Sequence, residues 1–511
     1  MTREHDARPL GADPVAWDDF DRLQGRLPAL FRDVFAHRTA ERTVVVVPGL
    51  SLDPEVLVKV RGVRFYEERM LSMLMLLRLP NTRVVFVTSS PIDPSIVDYY
   101  LGMLPGIPSR HARQRLTLLC THDASLRSLT DKILDRPRLL QRLRESIRDP
   151  MTTHLSVFNA TESEARLACA LGIPMYACDP RKLRWGSKSG SREVFRDCGI
   201  DLPDGQEDLR DLRDAATALH ALRARQPGLA RAVLKLEEGF SGDGNARIRC
   251  GDWPAAVSVY EIESRLRREI EPEAEDSTVD DYASKYDRCG GIVEAWIDGA
   301  RTASPSVQLR INPLGAVELI STHDQLLGGR SGQVFLGSRF PADHDYRTDL
   351  HQAGLRVGAA LAQRGVLGRF SVDFLHTHVA GTPRLFAIEI NLRKGGTTLP
   401  YQMLQFLTAG SYDASDGVFH TPFGHPRCYV ATDNLQSSAY RSLLPDDLID
   451  ILVQHRLHFD DTTQSGVVFN LIGAISEVGK LGLVSVAETI ELAQAQYERA
   501  IRVLDLECGT G

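Results

Sequence analysis

The chain has 511 residues, which is too long for one ordinary domain, so about three to five folding units are expected. Its composition, 43% hydrophobic and 25% charged, is typical of a globular protein and excludes a mostly disordered chain. The net charge of -7 argues against a general nucleic-acid or anionic-membrane binder.

The first third of the chain predicts a helix followed by an α/β domain. Residues 14–36 carry apolar side chains at helical spacing, which predicts an amphipathic docking helix. Short apolar runs alternate with helical patterns over residues 40–180 and predict a doubly wound parallel sheet. The predicted strands are 43–47, 83–88, 116–120, 155–159 and 174–177. The turn after the first strand lacks the GxGxxG spacing of a dinucleotide site and is interpreted as a structural turn.

From about residue 203 the pattern changes to mixed helices and antiparallel strands. Charged helical stretches are predicted at 207–224 and 261–271, with a hairpin of 232–237 and 246–250 between them. Residues 292–318 and 370–392 are strand-like. The last hundred residues are predicted to be mostly helical, with a capping box at 485–488 that opens a helix ending near residue 506.

The strongest local geometry lies in residues 368–398. Alternation along RFSVDF and LFAIEINLR places Asp373 on one polar face, and Glu389, Asn391 and Arg393 on another, with Phe386, Ile388, Ile390 and Leu392 packed behind. A turn centred near Gly381 would set Asp373 directly opposite Glu389. Two such carboxylates repel each other unless a cation lies between them, and oxygen-only ligands favour Mg²⁺ or Mn²⁺. The alternative is a solvated polar face.

Three further motifs are individually weak. The turn RKGGTT at 393–398 is basic, rich in glycine and hydroxyl groups, and suited to anionic groups. Lys235 ends a strand before a glycine-rich loop, which by itself is better explained as a hairpin turn than as a phosphate site. The segment GSKSGSR at 186–192 by itself is better explained as a solvated linker, and residues 292–299 as an ordinary strand.

Lysine is scarce, since eight of the 60 basic residues are lysines and the other 52 are arginines. A GC-rich genome explains this bias. Three of the eight, Lys188, Lys235 and Lys394, nevertheless fall in the glycine- and serine-rich motifs, and for Lys188 and Lys235 a reason is that a compact ammonium fits a phosphate. We therefore expect the motifs that contain these three lysines to meet anionic groups.

The cysteines and the apolar segments predict a cytoplasmic protein. The eight cysteines form no CxxC pair and are too sparse for a disulfide scaffold. The N-terminal residues do not resemble a signal peptide, and the most apolar stretch, around residues 70–77, is too short to span a bilayer.

The order of these motifs along the chain resembles the ATP-grasp superfamily. The resemblance is narrower to the peptide ligases of the pheganomycin-biosynthesis type, which have a pre-ATP-grasp α/β domain and a C-terminal extension. It is carried by the segments VVVPGLS at 45–51, GSKSGSR at 186–192, SPSVQ at 304–308, NLRKGGTT at 391–398 and GVVF at 466–469.

This resemblance implies a multidomain α/β and α+β fold, in which a doubly wound N-terminal domain precedes an ATP-grasp fold and a mostly helical C-terminal region. The implied units are a docking helix at 1–40, a pre-ATP-grasp domain at 41–184, a small lobe at 185–293, a large lobe at 294–400 and a C-terminal α/β region at 401–511.

The resemblance also implies site residues. Lys188 and Lys235 resemble the paired ATP lysines. The ATP-binding set further includes the phosphate loop with Phe240, Ser241 and Gly242, and the adenine hinge with Glu294, Ala295 and Ile297. Asp373, Glu389 and Asn391 resemble the Mg²⁺ ligands, with Mn²⁺ as the alternative ion, and Arg393 resembles the arginine beside the acyl phosphate; Lys235 and Arg393 are the expected catalytic residues. The expected substrate contacts are Ser304, Ser306, Gln308, Arg393, Gly395, Gly396 and Thr397, although 304–308 fits a strand-edge turn equally well.

Two departures from the superfamily pattern affect this assignment. Ala300-Arg301 stand where many members have a ribose-binding acid, and Leu399 follows the two threonines where a polar residue is expected. The ribose contact and the acceptor pocket are therefore not assigned.

The expected function is an ATP-dependent carboxylate–amine ligase that forms an amide bond through an acyl phosphate, with small-molecule or peptide substrates, no nucleic-acid or membrane partner, and a homodimer left open. One alternative is an ATP-binding sensor or scaffold without ligation. The other, an NAD-linked oxidoreductase, lacks its fingerprint.

Overall fold

The computed structural model describes residues 14–52, 54–237, 239, 244–274, 277–328, 332 and 334–509. Three β-sheets organise this part of the chain, one of four strands, one of five and one of eleven. No helix in the described ranges is both long and apolar enough to cross a membrane.

The N-terminal unit is a parallel sheet with the strand order β3-β2-β1-β4. Its strands are β1 (Arg42–Val47), β2 (Thr82–Thr88), β3 (Leu116–Cys120) and β4 (Thr153–Val157). The helices around it are α1 (Trp17–Gln24), α2 (Leu27–Leu30), α3 (Pro54–Leu57), α4 (Pro94–Gly102), α5 (Ser109–Arg113), α6 (Leu129–Leu134), α7 (Pro137–Ser146) and α8 (Glu162–Leu171), with 3-10 helices at Val63–Arg78 and Pro150–Thr152. The strands are parallel to their neighbours and are connected by helices, which is the predicted doubly wound arrangement.

The sequence pattern was less accurate at the edges of this unit. The predicted docking helix is broken near Gly25 into α1, α2 and a π-helical turn at Phe31–Phe35, although Phe20, Leu23 and Leu27 are buried as expected. The predicted strand at 174–177 is only a single bridge, between Met175 and Leu155.

The second unit is a five-stranded antiparallel sheet with the strand order β5-β9-β6-β7-β8. The segment contains a 3-10 helix at Pro180–Gly186, α9 (Lys188–Asp197), β5 (Gly205–Leu209), α10 (Leu212–Arg225), β6 (Arg231–Leu236), β7 (Asn245–Arg249), α11 (Val259–Glu269), β8 (Glu271–Pro272), α12 (Val279–Cys289) and β9 (Gly291–Ala295). The predicted hairpin is present, with Lys235 paired with Asn245. The predicted helix at 207–224 was wrong at its start, where β5 pairs with β9.

The third unit is built on the eleven-stranded sheet. Its elements begin with β10 (Ala300–Ala303), β11 (Pro305–Ile311), β12 (Val317–Gly328), β13 (Val334–Phe340), α13 (His344–Gln363), β14 (Gly368–Val379) and β15 (Thr382–Asn391). The core on one face of this sheet includes Val194 and Phe195 of α9 as well as residues of α13. Helix α9 therefore packs against the large sheet, which fixes its N-terminus beside β15.

The C-terminal region extends the same sheet and covers it with helices. It consists of α14 (Thr398–Thr408), β16 (Ser411–Asp413), β17 (Val418–His420), β18 (Pro426–Gln436), a 3-10 helix at Ala439–Ser442, α15 (Pro445–Gln454), β19 (Gly466–Asn470), a 3-10 helix at Ile472–Ala474, α16 (Ile475–Val478), β20 (Lys480–Ala487) and α17 (Ile490–Glu507). Besides the expected helices, the region contributes β18, which pairs with β13 and β20. The capping box at 485–488 was wrong, because Ser485 lies in β20 and Thr489 caps α17.

One hydrophobic core joins the first and last parts of the chain. Val44 of β1, Leu74 and Tyr100 pack together with Val468 of β19 and Leu483 of β20. The N-terminal unit is therefore held against the C-terminal region, and both border the space between the two larger units. All eight cysteines are free thiols.

Candidate active site

A cleft of about 1230 Å³ lies between the five-stranded sheet and the eleven-stranded sheet. Most of the site residues predicted from the sequence line it, namely Lys188, Lys235, Glu294, Ala295, Ile297, Ser304, Asp373, Glu389, Asn391, Arg393, Gly395, Gly396 and Thr397. Phe240, Ser241 and Gly242 lie outside the described residues. Ser306 and Gln308 are buried beneath the cleft and do not line it.

The floor of the cleft is the hairpin of β14 and β15. Its turn is Ala380-Gly381, where both residues have positive φ, the geometry of a two-residue hairpin turn. Asp373 is paired directly with Glu389, as the sequence predicted. The pairing passes through a β-bulge next to Asp373, which shifts the register by one residue.

The bulge changes which side chains face the cleft. Ile388 was predicted to pack behind the sheet, but it lines the cleft, and Ala387 is in the core in its place. A bulge adds one residue to one strand and so reverses the alternation on one side of it. The extra residue lies immediately before Glu389, so the carboxylate still faces Asp373.

The two carboxylates form one hydrogen-bonded cluster. The Asn391 amide donates to Asp373 Oδ2 at 3.0 Å and to Glu389 Oε1 at 2.9 Å. Gln325 donates to Asp373 Oδ1 at 2.9 Å, and Lys188 forms an ion pair with Glu389. Gln325 is a contact that sequence reasoning missed, since it lies on another strand and no motif surrounds it.

The electrostatics of this pair fit a divalent cation. Burial, and then the neighbouring Glu389, raise the pKa of Asp373. Burial acts in the same upward sense on Glu389, but Lys188 outweighs it and lowers the pKa of Glu389. Burial and the negative charge of Glu389 therefore disfavour ionisation of Asp373, and a divalent cation between the two carboxylates would relieve their repulsion. Two carboxylates and an amide oxygen are donors that suit Mg²⁺, so the residues present fit that ion.

Lys188 is placed by the start of a helix. It is the first residue of α9, and the Ser187 side chain caps the helix by accepting a hydrogen bond from the Gly190 N–H at 3.1 Å. A Cβ atom at Gly190 would collide with the carbonyl oxygen of Arg184, so only glycine fits there. The interpretation of 186–192 as a solvated linker was therefore wrong.

Lys235 belongs to a buried ion-pair cluster at the back of the cleft. Its ammonium lies 2.7 Å from Glu294 Oε2, and Arg192 Nη1 lies 2.6 Å from Glu294 Oε1. All three side chains are almost fully buried. Arg192 is the last residue of the motif at 186–192, and the sequence pattern suggests no role for it. Its position four residues after Lys188, one helical turn away, was the available signal.

The turn after β15 brings backbone and threonine groups to the cleft. Gln308 donates to the Thr397 hydroxyl at 3.0 Å and accepts from the Thr398 hydroxyl at 3.0 Å. It therefore positions the turn from below. Lys394 was expected to face the cleft, but it does not. Its ammonium donates instead to the carbonyl of Val157 in β4.

A second group of cleft residues was missed entirely. Tyr66, Arg69, Asp433 and Lys480, together called the basic wall here, come from the 3-10 helix at Val63–Arg78 and from β18 and β20. Arg69 and Asp433 are 364 positions apart in the chain. Lys480 is one of the scarce lysines, but its local sequence carries no motif.

Comparison with known proteins identifies the family. The model of the family described as IQCH-like, ATP-grasp matches residues 259–415, and the model described as PGM1 C-terminal domain matches residues 447–500. The L-propargylglycine–L-glutamate ligase of Streptantibioticus cattleyicolor is 30% identical over 480 residues, which cover 90% of this chain and 94% of that protein. The chain belongs to the ATP-grasp ligases.

Two further proteins are similar to this chain. The IQ motif-containing protein H of Danio rerio is 23% identical over 92% of this chain and 49% of its own length. The biotin carboxylase of Campylobacter jejuni, solved as a β,γ-ATP complex, superposes with a TM-score of 0.55 over 92% of this chain and 94% of that chain, at 13% identity. This likeness supports the ATP-grasp fold. The alternative of a sensor or scaffold without ligation is not favoured, since the relative that matches over nearly its whole length is a ligase.

Proposed function

We infer that this ATP-grasp enzyme is a carboxylate–amine ligase that joins an amino acid or peptide carboxylate to an amine and converts ATP to ADP and phosphate. The observation that carries the proposal is the convergence in one cleft of Asp373, Glu389 and Asn391 with Lys188, Lys235 and Arg393. This is an oxygen-donor cluster for a cation, surrounded by positive side chains for phosphates.

The reaction has two steps. A substrate carboxylate oxygen attacks the γ-phosphorus of ATP, and the bond to ADP breaks, giving an acyl phosphate. The amine then attacks the acyl carbon, phosphate leaves, and the amine loses a proton to give the amide. Phosphoryl transfer depends mainly on positioning and charge neutralisation, and it does not require a nucleophilic side chain of the protein.

The proposed role of each cleft residue depends on its position. Lys188 and Lys235 would hold ATP phosphates, and Arg393, beside the carboxylate pair, would stabilise charge on the acyl phosphate. Mg²⁺, with Mn²⁺ as the alternative, would neutralise the phosphates when held by Asp373, Glu389 and Asn391. Of the other residues that line the cleft, Glu294, Ala295 and Ile297 would border adenine, and Ser304, Gly395, Gly396 and Thr397 would border the substrates. Gln308 would position the turn after β15 from below, and Ser306 lies buried beneath the cleft.

The substrate class follows from the similar ligase, whose name gives two amino acids, L-propargylglycine and L-glutamate. We extend this to amino-acid or short-peptide substrates and to a small peptide-like metabolite as the product. A cytoplasmic site of action fits the need for ATP.

The test is substrate-dependent ADP release. The full chain is incubated with ATP, Mg²⁺ and pairs of amino acids, and ADP and condensed products are measured by mass spectrometry. Asp373→Asn and Glu389→Gln should each reduce the rate by about 100-fold or more, because each removes a negative charge that would hold the cation required to neutralise the phosphates. Asp345→Asn, which alters an exposed acid at the start of α13, is the matched control and should retain the wild-type rate. Unchanged turnover in both cleft variants would refute the metal assignment.

A further inference from the structure

The basic wall forms the end of the cleft bounded by the N-terminal unit and the C-terminal region. Arg69 and Lys480 are only 6% and 4% exposed, although both are charged side chains lining an open cleft. Asp433 lies at a β-bulge of β18, between Thr432 and Leu435, where the register with β20 shifts. Such a bulge re-aims a side chain, and here Asp433 lines the cleft.

The contacts within the wall hold each cation in place. Arg69 Nη1 lies 2.5 Å from Asp433 Oδ2, and the guanidinium stacks over the Tyr66 ring at 4.4 Å and the Phe158 ring at 5.2 Å. The Lys480 ammonium donates to the Tyr66 hydroxyl at 2.8 Å. These aromatic and hydroxyl contacts fix the orientation of both cations but supply no negative charge.

The charges of the wall do not balance. It has two cations and one carboxylate, and Arg61, another cleft residue, adds positive charge near Lys480. The Nε–H of Arg69 has no hydrogen-bond partner among the described residues although it is buried. Burial lowers the pKa of Lys480 to about 8, which an anion beside it would reverse. A buried cation without full compensation is unfavourable, so this wall is suited to an anionic ligand group.

The wall is electrostatically linked to the reaction centre through Arg393. Arg393 lines the same cleft as Asp373, Glu389 and Arg69, and the charges of these three side chains act on its guanidinium. A ligand bound at the wall would therefore extend toward the position proposed for the acyl phosphate.

We propose that the basic wall binds the α-amino-acid head group of one substrate, with the α-carboxylate at Arg69 and Lys480 and the α-ammonium at Asp433. Two cations adjacent to one anion complement a group that carries a carboxylate and an ammonium on the same carbon. The Asp433 side chain, 18% exposed, is more accessible than that of Arg69, 5% exposed, and can take a second donor. The proposal rests on the proposed ligase function, because it assigns a substrate class to the same cleft.

The test measures binding without turnover. Each standard L-α-amino acid is titrated calorimetrically into the full chain, without nucleotide and again with ADP and Mg²⁺. At least one amino acid should bind, and its α-amide should bind about tenfold more weakly or worse, because it cannot make the charge-assisted contacts. The Lys480→Met variant should bind the amino acid about tenfold more weakly than the wild type does. It should also no longer bind the amino acid more tightly than its α-amide.

Two further variants sharpen this result. Lys182→Met removes a lysine that does not line the cleft and should keep the full preference. Asp433→Asn should weaken binding of the amino acid but not of its analogue lacking the α-amino group. This second variant also tests the wall if Lys480→Met does not fold.

The two proposals fail in different ways. The head-group site is overturned if no amino acid binds under either condition, or if the preference for acid over amide survives in folded Lys480→Met. It is also overturned if that variant retains the wild-type KM for its amino acid in ADP release. If binding depends on Lys480 while no substrate pair yields ADP and amide, the site stands and the ligase proposal fails.

Discussion

At the scale of residues, one carboxylate organises the phosphate side of the cleft. Glu294 holds Lys235 and Arg192 at once, with its two oxygens each on one cation. A buried pair of this kind is sensitive to removal of either partner, at a cost of about 3–5 kcal/mol. Lys235 is therefore positioned tightly, as a phosphate-binding point charge requires.

The first prediction concerns the replacement of Lys235 by arginine. Lys235→Arg keeps the charge, but the larger planar guanidinium must fit beside Arg192 and Glu294 in a nearly dry space. We expect kcat/KM for ATP to fall about 100-fold. This is the usual effect of removing one hydrogen-bond donor that stabilises the charge of a transition state. Steady-state ADP release measures this.

The control for this substitution is Lys285→Arg. Lys285 is half-buried, and its ammonium lies 3.6 Å from Glu55, a surface pair that arginine can keep. Its kcat/KM should match the wild type. Equal activity of both variants would show that Lys235 is not a phosphate ligand.

At the scale of elements, the N-terminus of α9 positions Lys188 in the cleft. Its first turn depends on the Ser187 cap and on the close approach of Gly190 to the backbone of Arg184. Packing of Val194 and Phe195 in the core of the large sheet fixes the direction of the helix. The cap, the glycine and the apolar face together position the first turn of α9. A local change there should therefore displace Lys188 in the cleft.

The second prediction follows from that geometry. Gly190→Ala should displace the first turn of α9, lower the midpoint of thermal unfolding and raise the KM for ATP about tenfold or more, since Lys188 moves with the turn. Gly102→Ala is the matched control, because a Cβ atom there meets nothing within 4 Å and lies at the end of α4. A wild-type KM for ATP in Gly190→Ala would contradict the role given to this turn.

At the scale of the whole molecule, the cleft is assembled from all parts of the chain, and the contact of the N-terminal unit with the C-terminal region decides its shape. Glu68 is part of that contact, since it accepts a hydrogen bond from the Gly473 N–H at 2.9 Å. A Cβ atom at Gly473 would collide with the Glu68 carboxyl group in its present position, so the backbone and this side chain are in close contact.

The third prediction is a pH dependence of stability through Glu68. Burial raises the pKa of the Glu68 carboxyl from its ordinary value near 4.5 to about 8. Between these values the folded protein keeps a proton that the unfolded chain has lost, so the free energy of unfolding falls as pH rises, by at most about 1.4 kcal/mol per pH unit. Glu68→Gln removes this loss while keeping an oxygen acceptor for Gly473.

The measurement is denaturant unfolding of wild type and variant across this pH range. The stability gained by Glu68→Gln over wild type should grow from pH 4.5 to pH 8 and level off above it. Glu145→Gln, on the exposed face of α7, should give a difference independent of pH. A constant or shrinking advantage for Glu68→Gln would refute the burial of an uncompensated carboxyl at this contact.

The sequence by itself determined features that depend on near neighbours in the chain. Alternation and the turn residues near Gly381 were enough to predict the hairpin of β14 and β15, and apolar runs were enough for β1, β2 and β3. These predictions succeeded because strand periodicity and turn chemistry are local properties of the backbone.

Only the tertiary structure decided the rest. The bulge that moves Ile388 into the cleft, the turning of Lys394 toward β4 and the start of α17 at Ile490 all depend on what packs alongside. The basic wall is the strongest case, because Arg69 and Asp433 meet across 364 positions. Charge complementarity over such a distance leaves no periodic trace in a single sequence, since it arises only when the core shared by β1, β19 and β20 brings both ends of the chain to one cleft.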